Sequence, residues 1–210
     1  QNLMISVPTL SQVAAEAASL LGTCHRIAEP AREALAARVI HEDCDENEGP
    51  KLWAAENPQA RRAHQEAVLA LARLGDARAL PSLLVGLDQD VDAWRAIQAA
   101  RHLPQCADQL VPRLRHRLAA LDVAGVPAHN DLGAAALLSA LTALSAPDIA
   151  ALAGAVLDAA VRHEHWRIAS AAAQALGQAS PAACAALPTL RALSTSPDWS
   201  ARSAALVALW

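Results

Sequence analysis

Apolar residues recur along this chain at helical spacing, most clearly in AHQEAVLALARLGDARALPSLLVGL, from Ala63 to Leu87. Ala67, Leu71 and Leu74 stand four and three residues apart, so they share one helix face, and Gly75-Asp76 then stops that helix. Leu80, Leu83, Leu84 and Leu87 form a second stripe, with Pro81 in the first turn, where its missing N–H costs little. Two amphipathic helices this short cannot close a core alone, so the unit needs neighbours of its own kind.

The neighbours are found by following the Leu-Pro step. Leu80-Pro81 recurs as Val111-Pro112 and Leu187-Pro188, with Ile149-Ala150 where a further copy is expected, at steps of 31, 38 and 38 residues. Two positions after each step lies a leucine: Leu83, Leu114, Leu152 and Leu190. The preceding helix recurs as WRAIQAARHL, WRIASAAAQALG and WSARSAALVAL, opening at Trp94, Trp166 and Trp199. With these residues the chain resembles the HEAT-repeat family, and more specifically the phycobilisome-lyase-type HEAT-like repeats, whose helix pairs read roughly AAxALGxLGDxxALPxLLxxL before an acidic turn. The resemblance covers about Pro58 to Trp210. It implies an α-solenoid, a right-handed superhelix of stacked antiparallel helix pairs, and carries little about activity. Independently, the lack of Gly-rich hairpin turns and of alternating strand patterns makes the expected class all-α.

In chain order, Thr9 to Leu21 reads as a helix with Thr9 or Ser11 as N-cap and Gly22 beyond its end, and Ala28 to Ile40 as a second, with Pro30 early. This pair lacks the Leu-Pro step, so residues 1–41 are expected to be an atypical N-terminal cap repeat. An acidic loop, 42–59, has no helical periodicity, and loops of that length are usually functional or disordered. Residues 60–210 then carry four HEAT-like repeats, with helix pairs near 60–74 and 77–87, 92–103 and 106–121, 130–145 and 147–162, 165–177 and 181–195. The first helix of a fifth starts near Asp198, and no partner helix follows it before Trp210. Leu206, Leu209 and Trp210 do not make a polar cap, so the chain is expected to continue, or this face to dock on further repeats or another chain.

Composition narrows the reading. Hydrophobic residues make up 54%, yet Phe and Tyr are absent and alanine dominates many helices, which favours close helix contact through small side chains. A net charge of −4 offers no electrostatic reason for nucleic acid, which is disfavoured as a partner. Cys24, Cys44, Cys106 and Cys184 show no close spacing and read as buried thiols of a reducing, cytoplasmic setting. No basic segment with an adjoining apolar core opens the chain, so no secretory signal is read. The apolar run from Leu132 to Val161 is cut by Pro147-Asp148 and charged at Asp158, so no membrane span is expected.

Three groups tempt a chemical reading. His41, Glu42, Asp43, Cys44, Asp45, Glu46 and Glu48 crowd one loop, but the spacing is not that of an EF-hand, and a solvated acidic loop is the simpler expectation. His163-Glu164-His165 sits at a turn, where Glu164 reads as an N-cap before Trp166. No nucleophile elbow, phosphate loop or HExxH is present, so no catalytic residue, metal or cofactor is expected. Trp94, Trp166 and Trp199, preceded by Asp92, Glu164 and Asp198, read as indoles covering the seam to the previous repeat behind an acidic cap. The alternative is a ladder of aromatic anchors. Trp53, alone in the acidic loop, is a candidate partner contact.

The resemblance places binding on the concave face, lined by the second helices. Aligned on the Leu-Pro step, that face is expected to present Ser82, Val85 and Gln89, then Arg113, His116 and Arg117, then Ala151, Gly154 and Asp158, then Thr189 and Arg191. Small residues at Ala151 and Gly154 would admit a partner's backbone, and Arg113 with Arg117 would hold a carboxylate. The expected function is a non-catalytic protein–protein interaction scaffold or adaptor. Alternatives are a HEAT-like DNA glycosylase or nucleic-acid binder, a tetrapyrrole (bilin) lyase or its chaperone, and a structural segment of a larger multidomain protein.

Overall fold

The computed structural model describes residues 29–43, 58–89, 93–121, 132–179 and 182–210, and among them every regular element is helical. The chain forms two compact units, Gln1–Leu103 and Pro104–Trp210. The first contains α1 (Glu29–Asp43), α2 (Pro58–Arg73), a 3₁₀ turn (Ala77–Ala79), α3 (Leu80–Asp88) and α4 (Ala93–Ala100). The second contains a 3₁₀ turn (Pro104–Cys106), α5 (Ala107–Ala120), α6 (Leu132–Ala143), α7 (Ile149–Arg162), α8 (Trp166–Gln178), a 3₁₀ turn (Ala182–Ala186), α9 (Leu187–Leu193) and α10 (Trp199–Ala208). Glu42 and Asp43, placed in the acidic loop by periodicity, belong to the last turn of α1, and Pro58 and Gln59 to the first turn of α2. The expected helix over 9–21 and the remainder of the loop lie outside the described residues.

Three helices end in the same way. After α2, Gly75 at φ +71° lets Asp76 N donate to Leu71 O (3.0 Å) and Gly75 N to Ala72 O (2.8 Å), a Schellman stop that satisfies two terminal carbonyls. Ser145 at φ +53° ends α6 through Ala146 N to Leu141 O (3.0 Å), and Glu164 at φ +59° ends α7 through His165 N to Ala160 O (2.9 Å). Only the first was signalled by a glycine. The other two hold L side chains in the left-handed region, at a cost of roughly 1–2 kcal/mol each.

In the first unit α2 packs on α1, α3 and α4; in the second α5 packs on α6, α6 on α7 and α8, α7 on α8 and α9, and α10 on α8 and α9. Leu71, Leu83 and Leu87, then Leu114, Leu137, Leu138, Leu141, Leu157 and Leu190, are wholly or almost wholly buried, each contributing about 1.5–3 kcal/mol by removing apolar surface from water. Beside them runs a small-residue seam. α8 lies between α6 and α10, with Ala169, Ala172, Ala173 and Ala175 buried, while α10 buries Ala201, Ala204 and Ala205. A Cβ added at Gly177 would meet Ala208 Cα at 3.0 Å, so the backbones of α8 and α10 approach as closely as glycine allows. Near the other end Ser170 Oγ donates to Ser200 O (3.4 Å), which makes the two helices parallel and in register.

Several expectations are corrected. Of the four aligned leucines, Leu152 is only half-buried, because α7 turns Ile149, Ala153 and Leu157 inward instead. Pro112 lies inside α5, as the expected span of 106–121 has it, unlike Pro81 and Pro188 in their first turns. Glu164 does not cap α8, since its backbone is the left-handed residue of the preceding stop and His165 takes the N-cap position. Asp198 does cap α10, accepting from Ala201 N at 2.9 Å. The indoles do not uniformly seal seams. Trp94 is 46% and Trp199 71% exposed, each lying by an arginine, Arg95 at 5.2 Å and Arg202 at 5.5 Å from the ring centre.

Asp76 ties the first unit together at the turn before α3. Its carboxylate accepts from Arg78 N (3.0 Å) and from the Arg78 guanidinium (2.6 Å), which also reaches Glu33 on α1 at 2.8 Å. The Arg78 hydrogen bonds hold the Asp76 carboxyl below the usual carboxylate range, against the opposing effect of burial.

Two predictions follow from these stops and ties. Gly75→Ala, with open space around the new methyl, should cost about 1–2 kcal/mol purely in backbone strain, whereas Glu164→Gly should gain roughly 0.5–1 kcal/mol; urea unfolding reads both. Because the folded pKa of Asp76 is lowered, its contribution is present above the unfolded carboxylate range and is lost as pH falls through the folded value. Asp76→Ala should therefore destabilise by about 1 kcal/mol near neutrality, with a smaller penalty in acid; equal losses at both pH values would refute the assignment.

Candidate partner-binding surface

In the second unit α5 supplies the most strongly charged helix face. Leu110, Leu114 and Leu118 recur every fourth residue and are buried, which turns Arg113 and His116 to the exposed side, with Arg117 half-buried at their edge. These three sit at i, i+3 and i+4 and so share one face, as the alignment expected. Arg115 stands between them on another side of the helix, where its guanidinium donates to Asp148, the residue before α7. That link joins two second helices.

The next two second helices meet differently from the expectation of an open, small-residue floor. A Cβ at Gly154 would lie 4.0 Å from the Ala186 Cβ, so Gly154 faces the 3₁₀ turn before α9. One turn further, Thr189 Oγ1 donates to Asp158 Oδ1 at 2.5 Å, and Arg162 Nε donates to Asp158 O at 3.2 Å. Gly154, Asp158 and Thr189 are thus brought together, as a seam between α7 and α9 and not as a groove floor. Ala151, Asp158 and Arg191 remain exposed along it.

In the first unit Ser82 is corrected outright, being 1% exposed. The alignment assumed a helix with one buried side, but α3 also buries Gly86, one turn on, so a second edge of small residues is packed. The Ser82–Gly86 pair at i, i+4 was the available signal. Gln89 is half-buried, in extended backbone at the C-terminal end of α3. Trp53 lies outside the described residues.

The remaining chemistry is sparse. His163 and His165 flank Glu164 with ring centres 6.5 Å apart, and among the described residues no three His, Cys, Asp or Glu side chains gather as a metal site would need. Cys106 is buried, and desolvation pushes its thiol pKa up. Cys184 is exposed, against the expectation of burial. His102 is held below the ordinary imidazole range by burial and by the nearby Arg101 and Arg73 charges. A cleft of about 410 Å³, not foreseen from the sequence, opens beside the α6–α7 turn. Thr142, Ser145, Pro147, Ile149 and Gln178 line it with two hydroxyls, one amide and apolar surface. No helix among the described residues is long and apolar enough to cross a membrane.

No protein-family model, no curated protein and no solved structure matches this chain.

The contact at Gly154 separates a seam from an open floor. Alanine just fits there and replaces a mid-helix glycine, so Gly154→Ala should stabilise by about 0.5–1 kcal/mol. Gly154→Leu must push the Ala186 turn away and should cost about 1–3 kcal/mol. Thermal unfolding in which leucine is as well tolerated as alanine would restore the open floor.

Proposed function

We propose that this chain is a non-catalytic protein–protein interaction scaffold, built as a HEAT-like α-solenoid and working in the cytoplasm. The reading joins the repeated Leu-Pro and Trp registers to the helix pairs that the two units contain. A partner segment binds along the exposed sides of the second helices of the second unit. The observation that carries this is the face of α5, where Arg113 and His116 are exposed beside Arg117 while the leucines of the same helix are fully engaged. Arginines in such a row suit carboxylates of a bound chain, and rim charges of this kind govern association rate and specificity. Asp158 and Thr189, already bonded to each other, serve the seam and extend the surface by their exposed edges.

The test is quantitative co-purification from the native host followed by titration of whatever binds stoichiometrically. Arg113→Glu with Arg117→Glu should weaken that binding at least about tenfold, equivalent to roughly 1.4 kcal/mol, without loss of helicity. A partner that binds the double variant as well as the parent, or a chain that retains no partner at all, would reject the scaffold reading on this face.

A further inference from the structure

The cleft beside the α6–α7 turn, about 410 Å³ and so of the size of small-ligand pockets, lies in the second unit where three helix ends converge. Thr142 and Ser145 bring the end of α6 to it, Ile149 the start of α7, and Gln178 the end of α8. α6 and α8 pack on each other and end at the same cleft, so they run parallel and set two negative dipole ends there. The start of α7 opposes them with one positive end, but its N–H groups are engaged. Ile149 N donates to Ala146 O at 3.1 Å, and Ala151 N and Leu152 N donate to Asp148 O at 3.0 and 3.1 Å. The pairing of Asp148 with Arg115 adds no net charge.

Side chains tip the balance the same way. Thr142 Oγ1 spends its proton on Leu138 O at 2.7 Å, so toward any other group it is an acceptor only. The Ser145 hydroxyl and the Gln178 carboxamide are exposed and bond to no other group among the described residues. No ionisable side chain among the described residues lines the cleft, and Ala146, Pro147 and Ile149 give it an apolar wall. Acceptors at one side and aliphatic surface at the other define what fits. A carboxylate would meet oxygens, and an alcohol would leave the two helix ends unanswered. An ammonium on an aliphatic stem answers both, since it offers three donors and no acceptor.

We propose that this cleft binds an aliphatic primary ammonium, its N–H groups on the oxygens of Thr142, Ser145 and Gln178 and its stem along Pro147 and Ile149. The site is separate from the α5 face and does not depend on the reading of that face. Such a group is presented by a free amine or by a lysine side chain.

Titration of the 210-residue chain with n-pentylammonium at neutral pH, followed by amide NMR shifts, tests this against two probes of equal length, pentanol and valerate. Saturable shifts confined to residues 142–150 and 178–179 are expected for the ammonium, with pentanol weaker by about tenfold and valerate producing none. A parallel titration with Nα-acetyl-lysine methylamide separates the sources, the tighter of the two ammonium probes naming the one the cleft is built for. Gln178→Leu, which removes an acceptor, and Ala150→Leu, which fills the cleft, should each weaken ammonium binding by about tenfold. Circular dichroism checks folding; should Ala150→Leu lose helicity, Gln178→Leu decides. Equal binding of pentanol, binding of valerate, shifts scattered over carboxylates away from the cleft, or affinities that neither variant changes would each overturn the proposal.

Discussion

Close approach between helices, made possible by side chains of one carbon or none, is the constraint from which the rest of the second unit follows. Ala169, Ala172 and Ala173 of α8 and Ala201, Ala204 and Ala205 of α10 are buried, and Gly177 meets Ala208 between the two helices. Dispersion contacts fall off within an ångström, so a seam of this kind is strong only while its residues stay small. Leucines complete the burial between helices. Phe and Tyr are absent from the whole chain, consistent with spaces that leave no room for rings.

Polar side chains act as registers more than as glue. Arg95 reaches Glu66 at 2.6 Å between α4 and α2, Arg115 reaches Asp148 ahead of α7, and Thr189 reaches Asp158 between α9 and α7. Partly exposed pairs of this sort contribute little net stability, about 0–1 kcal/mol each. What they do is select one sliding position of helices whose apolar faces are nearly featureless. A leucine stripe alone tolerates a shift of one turn, whereas a carboxylate and its donor do not.

This division explains why the candidate surface was partly misplaced from sequence. Arg113 and His116 are exposed because α5 has one continuous leucine stripe and they stand opposite it. Ser82 failed because α3 is packed along two edges, and Gly154 failed because the turn before α9 settles on it. In each case a small residue was taken as space for a partner when it was space for a neighbouring part of the same fold. The tryptophans were misjudged for the converse reason: an indole at a helix start can lie along an arginine at the surface, as Trp94 and Trp199 do, without sealing anything.

The amino-acid order alone determined the helical class, the approximate helix spans, and the stop at Gly75, because these depend on periodicity, proline placement and the conformational freedom of glycine, all local properties. It also determined which leucines enter the core wherever a helix has one apolar side. Tertiary structure decided the rest. Ser145 and Glu164 adopt left-handed backbone to end α6 and α7, a strain no local preference would choose and which the packing of the following helices sustains. Packing also decided that Ser82 and Gly154 belong to internal seams, since burial of a small side chain is set by what approaches it from elsewhere in the chain, and no spacing rule within one helix contains that information.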